Sequence, residues 1–200
     1  MSALNKLNEE IALCQSCELA KYRTKVVPGE GVEDADLLFV GEAPGYHEDQ
    51  QGRPFVGAAG SYLDKLLASI NLNRKQVYIA NVIKCRPAKN RDPLPVEIQN
   101  CRHWLEKQIK LINPKMIVTL GRYSMAMFFP SKIISKIHGT SQKKDGIVYF
   151  AMYHPAAALH QQRLRTVIEA DMLKIPLLLA QMEDIAKAEQ QPQQLSMFGD

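Results

Sequence analysis

Four short apolar runs alternate with segments of helical periodicity, and that alternation constrains the fold more than any other feature of the chain. Asp36 to Val40 is apolar from Leu37 onward and stops at Gly41, as a buried strand does. Val77 to Ile83 is rich in β-branched and aromatic residues. Met116 to Leu120 is a third run, closed by Gly121, and Ile147 to Met152 is a fourth. Between them, Ser61 to Ile70 places Leu63, Leu66, Leu67 and Ile70 at helical spacing. Pro95 to Ile112 does the same with Val96, Ile98, Trp104, Leu105, Ile109 and Ile112, and Pro114 ends it. A helix is also expected around Tyr123 to Phe129, and a last one from Leu164 to Ala180, kinked at Pro176. Strands that alternate with helices build a mainly parallel sheet covered on both faces. The expectation is an α/β fold: three layers, α/β/α, around a central four-stranded, mainly parallel sheet.

Such sheets bind ligands beyond the carboxyl ends of their strands. In this chain those ends carry Gly41-Glu42-Ala43-Pro44-Gly45, Asn81, Gly121-Arg122 and His154-Pro155. Turn chemistry accounts for the glycines and Pro155. It accounts less well for Glu42, Asn81 and His154, so four segments are expected to converge on one functional rim.

At 200 residues the chain has the size of one domain. No run of about 18 apolar residues occurs, so no membrane span is expected. Met1 to Lys6 lacks a basic-then-apolar leader, which places the expectation in the cytoplasm. The net charge is +4, but Glu183 to Asp200 carries −3, which leaves +7 on residues 1–182. A body of that charge suits nucleic acid and suits an ordinary cytosolic protein equally. Residues 1–185 are expected to form the domain. Residues 186–200, with the glutamine-rich stretch Glu189 to Gln194, are expected to be a flexible tail.

Four cysteines in such a chain point to metal or redox chemistry rather than disulfides. Cys14 and Cys17 form a C-x2-C pair, and Cys85 and Cys101 follow singly. Four thiolates complete a tetrahedral zinc site or hold a four-iron cluster. Zinc ribbons use two tight pairs and only one is present, while Cys85 and Cys101 also suit ordinary buried thiols. Spacing alone leaves all three readings open.

The loop after the first run has no G-x-G-x-x-G and the chain has no Walker sequence, so it is not a nucleotide-phosphate loop of those kinds. It continues through Glu48-Asp49, Gly52-Arg53-Pro54-Phe55-Val56-Gly57 and Gly60, and its glycines permit close backbone approach to a ligand. Phe55 suits either a stacking platform or plain core packing. Asn81 offers a carbonyl and an amide together, a match for a pyrimidine edge. His154 can donate to a developing anion.

Taken together these segments resemble the family-four uracil-DNA glycosylases. The match rests on Gly41 to Gly45 with Glu48-Asp49 and Gly52 to Gly60, on Asn81-Val82-Ile83-Lys84-Cys85-Arg86-Pro87 with Asn90-Arg91, and on His154-Pro155-Ala156-Ala157-Ala158-Leu159. The resemblance implies deoxyuridine in double- or single-stranded DNA as substrate, and a [4Fe–4S] cluster on Cys14, Cys17, Cys85 and Cys101. It implies a pocket of Gly41, Glu42, Ala43, Phe55, Asn81 and His154. Phe55 would stack on the flipped base, Asn81 read its edge and His154 stabilise the departing uracil anion. Other uracil glycosylases carry an aspartate that positions water where this chain has Ala43, so Glu42 or Glu48 is expected to share that role; Glu48 alternatively fences the base against thymine.

Leu159 is a candidate wedge for the gap left by the base. Arg163 and Arg165, with His160, are expected at phosphates, and Lys132, Lys136, Lys143 and Lys144 form a second basic group. The alternative is a protein that binds uracil without turnover or traps its product covalently; relatives of the trapping kind carry an Arg-rich insert ending in His where this chain reads Ala88 to Pro93, so the hydrolase is preferred, and a monomer is expected. In the tail, Gln194, Leu195, Met197 and Phe198 resemble the peptide by which bacterial DNA enzymes dock on the replication sliding clamp.

Overall fold

The four apolar runs all become strands, and their continuous apolarity has a direct cause: each lies inside a sheet buried on both faces. The computed structural model describes residues 1–190, with side chains through Met182. The expected strands are β2 (Leu37–Gly41), β3 (Tyr78–Asn81), β4 (Met116–Leu120) and β6 (Ile147–Met152). They pair in parallel in the order β3-β2-β4-β6. Alternate residues of one strand feed different layers. Leu37 and Phe39 join Leu63, Leu67, Ile168 and Met172 on one face. Leu38 and Val40 join Leu7, Ile11, Trp104 and Leu105 on the other.

Among the described residues the sheet has six strands rather than the four expected. Two antiparallel edges, β1 (Glu30–Gly31) on β3 and β5 (Ser141–Lys144) on β6, flank the parallel core. Neither has an apolar pattern to betray it. β1 is two residues long, and β5 is exposed throughout and ends in Lys143-Lys144, the kind of charged edge that resists further pairing.

The helices are α1 (Ala3–Ala12), α2 (Tyr46–Gln51), α3 (Ala58–Ser69), α4 (Pro95–Ile112), α5 (Arg122–Phe128), α6 (Ile134–Ile137), α7 (Pro155–His160), α8 (Arg163–Met172) and α9 (Lys174–Gln190). α4 keeps its expected bounds because both ends are coded locally. Pro95 sits at its first position, Glu97 accepts from the Leu94 amide at 2.8 Å, and Asn113 closes it in a left-handed conformation (φ 50°) before Pro114. The expected late helix is instead two, α8 and α9, broken at Leu173. Pro176 falls in the first turn of α9, where a missing N–H costs nothing. α9 runs to Gln190, so the boundary expected at residue 185 lies inside a helix. Gln194, Leu195, Met197 and Phe198 lie outside the described residues.

The connection from β2 to β3 runs to one side of β2 and that from β3 to β4 crosses to the other, so β2 marks the topological switch point. No described helix is long and apolar enough to cross a membrane.

Candidate active site

A cavity of about 440 Å³ opens at that switch point. Its walls come from the loop after β2, from Asn81 at the end of β3, from the Phe55 segment and from His154 after β6.

His154 is set by the turn it begins. Its side chain caps α7: Nδ1 accepts from the Ala156 amide at 3.1 Å. That leaves the ring proton on Nε2. Burial pushes the pKa of His154 down to about 4, with nearby Glu48 pulling the other way. The residue is therefore a neutral imidazole at physiological pH, with an N–H to donate. Gly121 makes room for it: its φ is positive (92°), and a Cβ there would stand 3.0 Å from the His154 Cβ.

Phe55 stacks on His154, with ring centroids 5.4 Å apart and planes inclined by 24°. It is buried, and its backbone is left-handed (φ 53°), which is costly for an aromatic residue. Three contacts hold it there. Arg74 donates to the carbonyls of Phe55 (2.8 Å) and Pro54. Glu48 Oε1 accepts from the amides of Val56 (3.0 Å) and Gly57 (3.1 Å). Gly60 packs so closely beneath that a Cβ there would lie 1.8 Å from the Phe55 carbonyl oxygen. Gly41 likewise admits the Phe55 ring and the Asn81 side chain, each under 3 Å from where a Cβ would stand.

Asn81 is 2% exposed, and its Oδ1 has no hydrogen-bond partner among the described residues. A buried acceptor without a donor is expensive unless a ligand supplies one. Lys84, fully buried, donates to the Asn81 carbonyl at 2.9 Å and to Gln108 Oε1 at 2.6 Å, fixing the backbone that carries the acceptor. Glu42 completes the wall. Burial, with help from Asp92, pushes its carboxyl up to about 7 against the pull of Arg122.

A model of the uracil DNA glycosylase superfamily matches residues 28–173. The chain belongs to that superfamily. It is 48% identical to the type-4 uracil-DNA glycosylase of Sulfurisphaera tokodaii over 186 residues, covering 88% of this chain and 84% of that one. It is 44% identical to the type-4 enzyme of Archaeoglobus fulgidus, covering 88% and 92%, and 41% identical to that of Thermotoga maritima, covering 84% and 90%.

Within this superfamily member, Gly41, Glu42, Ala43, Glu48, Phe55, Asn81 and His154 meet around or directly beneath one cavity. Leu159 stands 51% exposed on α7. Arg163 is exposed on α8. Arg165 is exposed as well but already engaged, donating to Glu169 at 3.0 Å with its guanidinium 5.5 Å from the Tyr62 ring centroid. Lys132, Lys136, Lys143, Lys144 and His160 are all exposed.

Cys14, Cys17, Cys85 and Cys101 line a second cavity, between α1, α4 and the segment after β3. Three of the four sulfurs accept N–H donors. Trp104 Nε1 reaches Cys14 at 3.2 Å, Arg23 Nη1 reaches Cys85 at 3.2 Å, and the Lys84 amide reaches Cys101 at 3.3 Å. Among the described residues no three His, Cys, Asp or Glu side chains converge on a point that a single ion would need. Sequence reasoning missed Arg23, Arg74, Lys84 and the Asp92–Arg122 pair (2.5 Å). Arg23, Arg74 and the Asp92–Arg122 pair act on residues far away in the chain, and Lys84 bridges its near neighbour Asn81 to distant Gln108; no local pattern marks any of them.

Proposed function

We propose that this protein hydrolyses the N-glycosidic bond of deoxyuridine in DNA, releasing uracil and leaving an abasic site. The observation that carries the reading is that Asn81, whose buried Oδ1 has no partner among the described residues, lines the same cavity as Phe55 and as His154, whose Nδ1 is taken up by the Ala156 amide. Uracil fits that set. Its N3–H and O4 match Asn81 Oδ1 and Nδ2, while in that orientation cytosine sets its N3 acceptor against Oδ1 and its N4 donor against Nδ2. The base leaves the stack to enter, at a cost least in mismatches and single strands.

As the C1′–N1 bond breaks, its electron pair passes to uracil and the sugar becomes oxocarbenium-like. His154 donates to O2 of the uracil anion, the oxyanion-hole principle applied to a leaving group. A water bonds to C1′ and gives its proton to the Glu42 carboxylate. Glu42 is favoured over Glu48 because the Glu48 Oε1 is already held by two amides. Leu159 fills the vacated step, and Arg163 meets phosphate.

The second cavity is read as the seat of a [4Fe–4S] cluster on Cys14, Cys17, Cys85 and Cys101. Support comes from four thiols around one cavity, N–H donors to three of the sulfurs, and the family resemblance. Such a cluster supplies a rigid tie between segments. The protein is read as a monomer that acts on cytoplasmic, nucleoid DNA, tethered to the sliding clamp through Gln194, Leu195, Met197 and Phe198.

The experiment is uracil release from a deoxyuridine oligonucleotide, double- and single-stranded, under multiple turnover. Free uracil in excess of enzyme is expected. A covalent adduct, or bound DNA without release, rejects hydrolysis. Asn81→Ala is expected to lose rate and selectivity together.

A further inference from the structure

Phe55 and His154 act inside the cavity, but another aromatic ring stands at its mouth with no part in that arrangement. Tyr46, the first residue of α2, lines the cavity and is nevertheless 53% exposed. The guanidinium of Arg86 lies 5.1 Å from its ring centroid. Arg86 is not there by accident of a floppy chain: its Nε donates to Asn90 Oδ1 at 2.7 Å, and Asn90 itself lines the cavity. His47 braces the ring edge-on, with centroids 5.4 Å apart at 78°. Arg91, which lines the cavity, stands next to Asn90 in the chain.

An exposed tyrosine alone is an ordinary surface residue. A tyrosine continuous with a base-sized cavity, with a pinned arginine over its ring, has the composition of a single-strand binding platform, in which aromatic faces take bases and cations track the backbone. The geometry of extrusion supplies the occupant. When uridine enters the cavity, the nucleotide next to it loses a stacking neighbour, and the phosphate that joins the two must pass the mouth.

We infer that Tyr46 and Arg86 form a subsite for the nucleotide adjoining the flipped uridine, its base stacking on Tyr46 and the shared phosphate meeting Arg86. The inference rests on the glycosylase reading and extends it to substrate selection. The enzyme recognises a dinucleotide step rather than an isolated uridine, with little preference for the identity of the second base, because every base has a π-face.

The test is fluorescence anisotropy with single-stranded oligonucleotides that carry non-cleavable 2′-fluoro-deoxyuridine. In two companion strands the nucleotide 5′ or 3′ of that position is an abasic spacer. Wild-type protein is expected to bind one of the spacer strands about tenfold more weakly than the parent, the scale of one base–aromatic stack. Tyr46→Ala is expected to lose about tenfold on the parent strand and nothing more on that spacer strand, while Tyr46→Phe binds like wild type. Arg86→Gln is expected to weaken binding and flatten its salt dependence by about 0.7 in slope, one phosphate's share for a single strand. Unchanged affinity in Tyr46→Ala, or equal loss on parent and spacer strands, overturns the subsite. Uracil release from the cleavable strand of the same sequence is measured alongside. Its absence in wild type overturns the glycosylase reading, while the binding cycle still decides the subsite.

Discussion

One backbone hydrogen bond decides which nitrogen of His154 faces the substrate, and the neutrality of the ring decides what it can do there. With a pKa near 4, His154 is an uncharged donor through the whole physiological range. Glu42 behaves oppositely. Its carboxyl is raised to about 7, so the basic form is gained as pH rises through that value. The single-turnover rate of uracil excision is therefore expected to climb between pH 6 and 8, and Glu42→Gln to flatten that limb. His154→Ala is expected to lower the rate by about 10²–10³ at every pH above 5, without moving the midpoint. A limb that survives in Glu42→Gln assigns the titration to another group. Glu42, Asn81 and His154 were legible in the sequence because polar residues at the ends of buried strands need a reason. Arg74 and Lys84 were not, since each reads as an ordinary surface cation until its distant partners are known.

Among the elements, the loop between α2 and α3 holds Phe55 in a strained backbone, and its restraints come from both sides. Glu48 holds its amides and Arg74 its carbonyls, so Phe55 keeps a left-handed backbone that it would otherwise leave. Arg74→Lys keeps the charge beside Asp64 but loses the two-pronged grip on Pro54 and Phe55. Its KM for uracil-containing DNA and its inhibition constant for free uracil are each expected to rise about tenfold, the scale of one lost charged hydrogen bond. An unchanged inhibition constant would mean that packing on Gly60 holds the platform alone. The strands β1 and β5 escaped the sequence for a different reason. Edge strands are specified by the neighbour they pair with, and a polar run such as Ser141 to Lys144 has no inner face to display a period.

At the scale of the molecule, the four cysteines sit on the segment after α1, on the loop after β3 and on α4, around one cavity and across nearly 90 residues of chain. Purified anaerobically, the protein is expected to be brown with about four irons per chain. Cys101→Ala is expected to lower the thermal midpoint and the iron content together, because ligand loss removes folding free energy. Stoichiometric zinc without iron would reject the cluster. Deleting residues 193–200 is expected to leave excision on short oligonucleotides unchanged and abolish clamp binding by calorimetry; equal clamp affinity with and without them removes the tether. The sequence by itself determined the parallel core, the two covering helix layers and the identity of the rim residues. Those follow from period, apolarity and the rule that such sheets bind at their strand ends, all of them local properties of the chain. Only the tertiary structure decided which nitrogen of His154 faces in, that Asn81 keeps an unpaired acceptor, and that Arg74 and Glu48 share the holding of Phe55. The first depends on the turn after β6 closing so that the Ala156 amide meets Nδ1, and the others on side chains and loops that approach one another only in the folded chain, with Arg74 reaching Phe55 from 19 residues away; none shows as a hydrophobic period.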